Sequence, residues 1–293
     1  MGIFLGVATA LSWGSADFLA RFAARLLGST RAVFWMQAWG AIFLTIFLFF
    51  SHGWGHLFDG SGWQPWAWGA IAGLINTFAM LALYRSFELG RMAVVAPVSA
   101  SYPVLTVLLT LLSGDRFSGH RALGMVAALV GVVLVAGGDK ASDQLITPER
   151  RNPNAGVGWA IAAGLGFGVL FWLLGIRAIP RTGALATVWL IRVSGTLFTC
   201  AILQAQKTPL RIGNANTAAQ TAGMGLLDTG AFVLSNVGMQ LEQVAIVSVL
   251  GSLYGAVTVA LAAALLRERI GLRQWIGIVL IFLGVAFMAT ATS

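Results

Sequence analysis

The stretch LLSGDRFSGHRALG, Leu111 to Gly124, returns as LLRERIGLRQWIG, Leu265 to Gly277. In each copy an apolar run stops at an acid followed by arginine, Asp115-Arg116 or Glu268-Arg269, and a glycine-spaced apolar run begins. The echo extends well beyond these segments. At an offset of 152, GLINTFAMLALYRSFELGRMAVVAP (Gly73 to Pro97) lies on GLLDTGAFVLSNVGMQLEQVAIVSV (Gly225 to Val249). This pairs Asn76 with Asp228, Thr77 with Thr229, Ala93 with Ala245 and, farther on, Tyr102 with Tyr254. The offset is 153 at the two acid-arginine pairs and about 154 at Trp35 and Trp189.

Composition says what kind of chain is being repeated. Of 293 residues 58% are hydrophobic and only 10% charged, with a mean hydropathy of +0.85, whereas a soluble domain carries about 25% charged residues. The chain reads as a membrane protein. Runs of roughly 17 to 25 apolar residues suffice to cross a bilayer as helices. Ten are expected, near 3–22, 32–50, 66–84, 92–113, 121–138, 156–176, 182–205, 217–239, 243–265 and 272–291. Five fall in each copy, and an odd number sends the second copy into the membrane upside down. The expected fold is therefore all-α: ten transmembrane helices in two inverted five-helix repeats, 1–138 and 155–293, joined by a polar linker at 139–154. Inverted repeats place a binding site near the midplane between the halves and give two mirror-related conformations, the physical basis of alternating access.

Charge sets the orientation. The connections 1–2, 3–4, 5–6, 7–8 and 9–10 hold 13 Lys and Arg residues, the opposite connections hold 4, and Arg192 lies inside helix 7. The positive-inside rule makes the 13-residue side cytoplasmic and puts both termini outside it. The net charge of +8 thus orients a membrane protein and does not indicate nucleic acid. Met1 to Gly6 carries no basic n-region and the first apolar run is long, so it reads as a retained helix, not a cleaved signal. The single cysteine, Cys200, excludes an internal disulfide and a Cys-based metal cluster.

The pattern Ala-x-x-x-Pro at Ala93, the glycine-rich run GMVAALVGVVLVAGG (Gly124 to Gly138) and its partner GIVLIFLGVAFMA (Gly277 to Ala289) resemble the drug/metabolite transporter superfamily, specifically its EamA-type ten-helix exporters. Within it the chain looks like the YddG-type aromatic amino-acid exporters. That resemblance implies efflux of aromatic amino acids across a bacterial inner membrane, with no cofactor. One departure is Val249, opposite Pro97, so a proline-assisted bend in helix 4 need not recur in helix 9.

Candidate pathway residues follow from cost. A charge at the bilayer centre costs about 2.5–3.5 kcal/mol on insertion scales and so turns toward a partner or a wet cavity. Asp17, Arg192 and Asp228 are the charges in that position. Helical spacing gathers their neighbours. Helix 3 aligns Asn76, Met80 and Tyr84, helix 8 aligns Asp228, Phe232 and Asn236, and helices 4 and 9 offer Ser99, Tyr102 and Tyr254. Helix 1 adds Trp13, while Trp35 and Trp189 stand at matching points of helices 2 and 7. Together these would make an aromatic cavity with a few polar contacts.

Plainer readings compete at several of them. Arg192 either locks onto Asp228 or Asp17 or takes a substrate carboxylate in its guanidinium fork, and Asp17 could pair locally with Arg21 four residues on. Lipid-interface anchoring suits most of the 11 tryptophans. His52 and His56, four apart in a glycine-interrupted stretch, make a poor metal site. An intramembrane enzyme would need a nucleophile-base or metal constellation, and none is present in the sequence. The expected partners are the lipid bilayer and a small-molecule substrate, handled by a monomer. A passive channel, or a carrier of another small amphipathic metabolite or drug, stays open.

Overall fold

The computed structural model describes residues 2–114, 119–136, 155–241, 247, 250–267 and 270–290. Asp115-Arg116, Glu268-Arg269, Ala245, Val249 and the linker at 139–154 lie outside them. The described residues form an all-α, multi-span membrane fold. Its helices are α1 (Gly2–Leu27), α2 (Ser29–Ser51), α3 (Gln64–Leu89), α4 (Met92–Ser99), α5 (Pro103–Leu112) and α6 (Gly119–Ala136). They continue with α7 (Val157–Leu173), α8 (Ile179–Thr182), α9 (Ala184–Ala205), α10 (Ala215–Leu241), α11 (Tyr254–Leu266) and α12 (Leu272–Thr290).

Among the described residues five stretches are both long and apolar enough to cross a membrane: Ser29–Ser51, Gln64–Leu89, Met92–Leu112, Val157–Thr182 and Ala184–Ala205. Several helices outrun their apolar cores. α1 ends five residues past the expected 22 and α3 five past 84, and on the added turns Arg25 donates to the Gly90 carbonyl at 3.3 Å while Arg85 pairs with Glu88 at 2.9 Å. Two glycines reverse the chain where almost no loop is available: Gly28 (φ 84°) joins α1 to α2 and Gly183 (φ 89°) joins α8 to α9, in a left-handed region that a Cβ disfavours. A π turn, Leu174–Ala178, links α7 to α8. Pro180 offers no amide hydrogen to the preceding turn, and the backbone loosens there.

Packing repeats the sequence offsets. α1 lies along α10 as α7 lies along α3, and α2–α10 mirrors α9–α3, while α2–α9 and α6–α12 pair equivalent helices with each other. Individual contacts obey the same rule. Gly14 faces Val257, and Gly168, 154 residues on, faces Leu105, 152 residues before Val257. The Thr258 hydroxyl donates to the Gly14 carbonyl at 3.4 Å, and Thr106 to Gly168 at 3.1 Å. Gly131 meets the Gly277 carbonyl as Gly284 meets that of Gly124. These crossings use small residues because helices in lipid gain stability from close approach, not from expelling water.

Candidate functional site

The helix expected at 92–113 is interrupted between α4 and α5, at Ala100–Tyr102. Tight three-residue bonds replace the α pattern there, Ser101 N–H to the Val98 carbonyl (3.3 Å) and Val104 N–H to Ser101 (3.0 Å). Pro103 has no amide hydrogen for the Ser99 carbonyl, which explains the break. The second copy has the same irregularity without that proline, since Gly255 occupies the position. Leu253 N–H bonds Leu250 (3.2 Å) and Ala256 N–H bonds Leu253 (2.9 Å), at matching positions 152 residues on. The irregularity thus recurs in the second copy, and both Tyr102 and Tyr254, beside the two breaks, line one cavity.

There they meet Trp13 and Asp17 of α1, Met80 and Leu83 of α3, Phe167 and Phe171 of α7, and Asp228 and Phe232 of α10 around one cavity. Eight of these ten residues are four pairs at the repeat offsets: Trp13 with Phe167, Asp17 with Phe171, Met80 with Phe232, and Tyr102 with Tyr254. Trp13 makes T-shaped contacts with Phe232 (5.2 Å between centroids), Phe171 (5.8 Å) and Tyr254 (6.1 Å). Phe171 stacks between Tyr102 (4.7 Å) and Phe232 (6.1 Å). The rings close on one another so far that about 20 Å³ remains open to the centre of a water molecule, room for one water and not for an indole.

Polar groups at the wall are few and unequal. Asp228 forms an ion pair with Arg192 at 2.5 Å, both side chains being shut off from solvent. Arg192 also donates to Gln37 Oε1 at 2.8 Å and lies 4.9 Å from the centroid of the Phe232 ring. The lock between Arg192 and Asp228 is therefore the pairing that forms. Asp17 is 4% exposed and its Oδ2 has no hydrogen-bond partner. No ion pair joins it to Arg21. The indole nitrogen of Trp13 is equally unpartnered.

The other sequence candidates stand one layer back or elsewhere. Asn76 is fully buried with neither amide atom bonded. The Ser99 hydroxyl lies 3.2 Å from that of Tyr254. Tyr84 is buried and stacks on Phe87 at 6.3 Å between centroids. Asn236 donates to the Ala184 carbonyl at 3.2 Å, tying α10 to the start of α9. Trp35 packs against Phe34 and Trp39, away from the cavity wall. Trp189 joins Trp54 (5.4 Å) and Trp66 (6.3 Å) and donates to the Thr45 hydroxyl at 2.8 Å, an arrangement expected of interface anchors.

Phe167, Phe171, Leu83 and Gln37 were not expected from sequence. For the phenylalanines a signal existed, because the offset of 154 applied to helix 1 lands on them from Trp13 and Asp17. The His56 ring nitrogen Nδ1 lies 2.5 Å from Asp59 Oδ2. Among the described residues no three His, Cys, Asp or Glu side chains gather to hold a metal. The Ser61 hydroxyl first, and His56 second, hold the Asp59 carboxyl down at about 2.

No curated protein matches the chain. A solved structure titled only "Crystal structure of protein" shares the fold at a TM-score of 0.69 and 17% identity, over 98% of this chain and 95% of that one. The description "EamA-like transporter family" matches residues 1–137 and again residues 154–290. A multi-span helical bundle matched twice by the same family is a membrane transporter and not an enzyme: the chain belongs to the EamA-like transporter family.

Proposed function

We propose that the protein exports small aromatic metabolites from the cytoplasm across a bacterial inner membrane, the aromatic amino acids being the class that its resemblance implies. Ten spans in two inverted repeats, 1–138 and 155–293, rock about the broken helices and open one cavity alternately to each side. The linker at 139–154 is cytoplasmic, both termini are outside the cytoplasm, and the working unit is a monomer. The observation that carries this is the cavity wall, eight of whose ten residues come in pairs at the repeat offsets. A site built from equivalent residues of two inverted halves stands in equivalent relation to both membrane faces, as alternating access requires.

Cargo enters by separating the rings. Trp13, Phe171 and Phe232 would exchange their contacts with one another for contacts with a flat substrate, each worth about 0.5–1.5 kcal/mol beyond burial. Breaks at Ala100–Tyr102 and Leu253 supply points where a span can flex without losing a whole hydrogen-bonded turn. Cells overproducing the protein should survive a panel of toxic aromatic analogues at concentrations that stop control cells. Equal sensitivity, with expression in the membrane verified, would refute aromatic export.

A further inference from the structure

The charges at the cavity do not balance, and the imbalance bears on what the cargo carries. Arg192 is committed to Asp228 at 2.5 Å and to Gln37 at 2.8 Å, and it is not part of the cavity wall. Asp17 is the wall's remaining charge. It is 4% exposed, its Oδ2 is unpartnered, and no cation among the described residues pairs with it. Tyr254, the nearby hydroxyl, is engaged with Ser99 at 3.2 Å. The Trp13 indole N–H at the wall has no partner among the described residues.

A buried carboxylate without a partner is costly, and a ligand that brings a cation removes the cost. A ligand that brings a carboxylate finds no free cation among the described wall residues and must either break the Arg192–Asp228 pair or sit against two acids. Aromatic faces around Asp17 add to the preference, since Trp, Tyr and Phe rings attract an ammonium group through their negative faces. We propose that the cavity recognises its cargo through an ammonium group at Asp17, so that an aromatic amine binds better than the matching aromatic amino acid, and the matching acid binds worst.

This rests on the cavity being the cargo site, and the test separates the two claims. The probes share one ring: 2-phenylethylamine, phenylalanine, 3-phenylpropionate and the uncharged 2-phenylethanol, each titrated calorimetrically into the detergent-purified protein. The amine should bind at least about tenfold more tightly than phenylalanine, with the alcohol weaker than the amine and the acid weakest. Asp17→Asn should bring the amine to the level of the alcohol and leave the alcohol unchanged, while Asp17→Glu should keep a preference for the amine. Phenylalanine or 3-phenylpropionate binding as tightly as the amine, or an amine affinity unmoved by Asp17→Asn, would overturn the ammonium claim and leave aromatic binding intact. Binding by none of the four probes would overturn both.

Discussion

Replacing Asp228 with asparagine keeps the shape of the side chain and deletes its charge, leaving Arg192 buried without a counter-ion. Removal of one partner from a buried ion pair costs about 3–5 kcal/mol. Two contacts survive around the guanidinium, Gln37 Oε1 at 2.8 Å and the Phe232 ring at 4.9 Å, so the lower end of that range, about 3 kcal/mol, is expected. At about 2–4 °C per kcal/mol the melting temperature should fall by about 6–12 °C. Adding Arg192→Gln removes the stranded charge, and the double variant should regain most of the loss. Thermal unfolding of the four proteins of this cycle, followed by tryptophan fluorescence in detergent, isolates the pairwise coupling. If Asp228→Asn melts with the wild type, or if the two single losses simply add in the double variant, the pair does not lock α9 to α10.

Gly40→Ala should destabilise by about 1–3 kcal/mol, because its new methyl would press on Thr229 Oγ1 and come within 3.0 Å of Arg192 Cδ. Gly230→Ala, which meets nothing within 4 Å, should be neutral or gain up to about 1 kcal/mol in the same melting assay. In the loop before α3, Asp59 should titrate near 2 in a carbon-13 NMR experiment. A depressed carboxyl stabilises the fold fully above its ordinary value of about 3.9 and loses that contribution as pH falls through about 2. A midpoint near 3.9 would mean that the Ser61 and His56 contacts do not hold in solution. A reporter fused after Ser293 should be active only in the form that works outside the cytoplasm; activity of a cytoplasm-only reporter would reverse the orientation.

The repeat was legible because it is a matter of letters in register: Gly14, Gly168, Thr106 and Thr258 sit where the offsets put them and make equivalent contacts. Charge was legible too, since a membrane interior tolerates so little of it that Arg192, Asp228 and Asp17 stand out. Aromatic residues were not. In lipid the outside of a helix is as apolar as the inside, so the hydrophobic pattern that separates core from surface in a soluble protein gives no direction for Phe171 or Trp189. One lines the cavity and the other joins Trp54 and Trp66. Gln37 escaped notice because it is uncharged, although its oxygen completes the setting of Arg192. The interruption at Leu253 has no proline to announce it and becomes visible only as the partner of the break at Ala100–Tyr102.

Alternating exposure of one cavity is tested most directly by counterflow. Liposomes containing the purified protein are loaded with millimolar unlabelled phenylalanine and diluted into a trace of the labelled compound. A carrier with a single alternating site predicts transient accumulation of label above the external concentration, absent from empty-loaded liposomes and from protein-free ones. Label that merely equilibrates, at the same rate whether or not the liposomes are preloaded, would contradict alternating access and indicate an open path through the bundle.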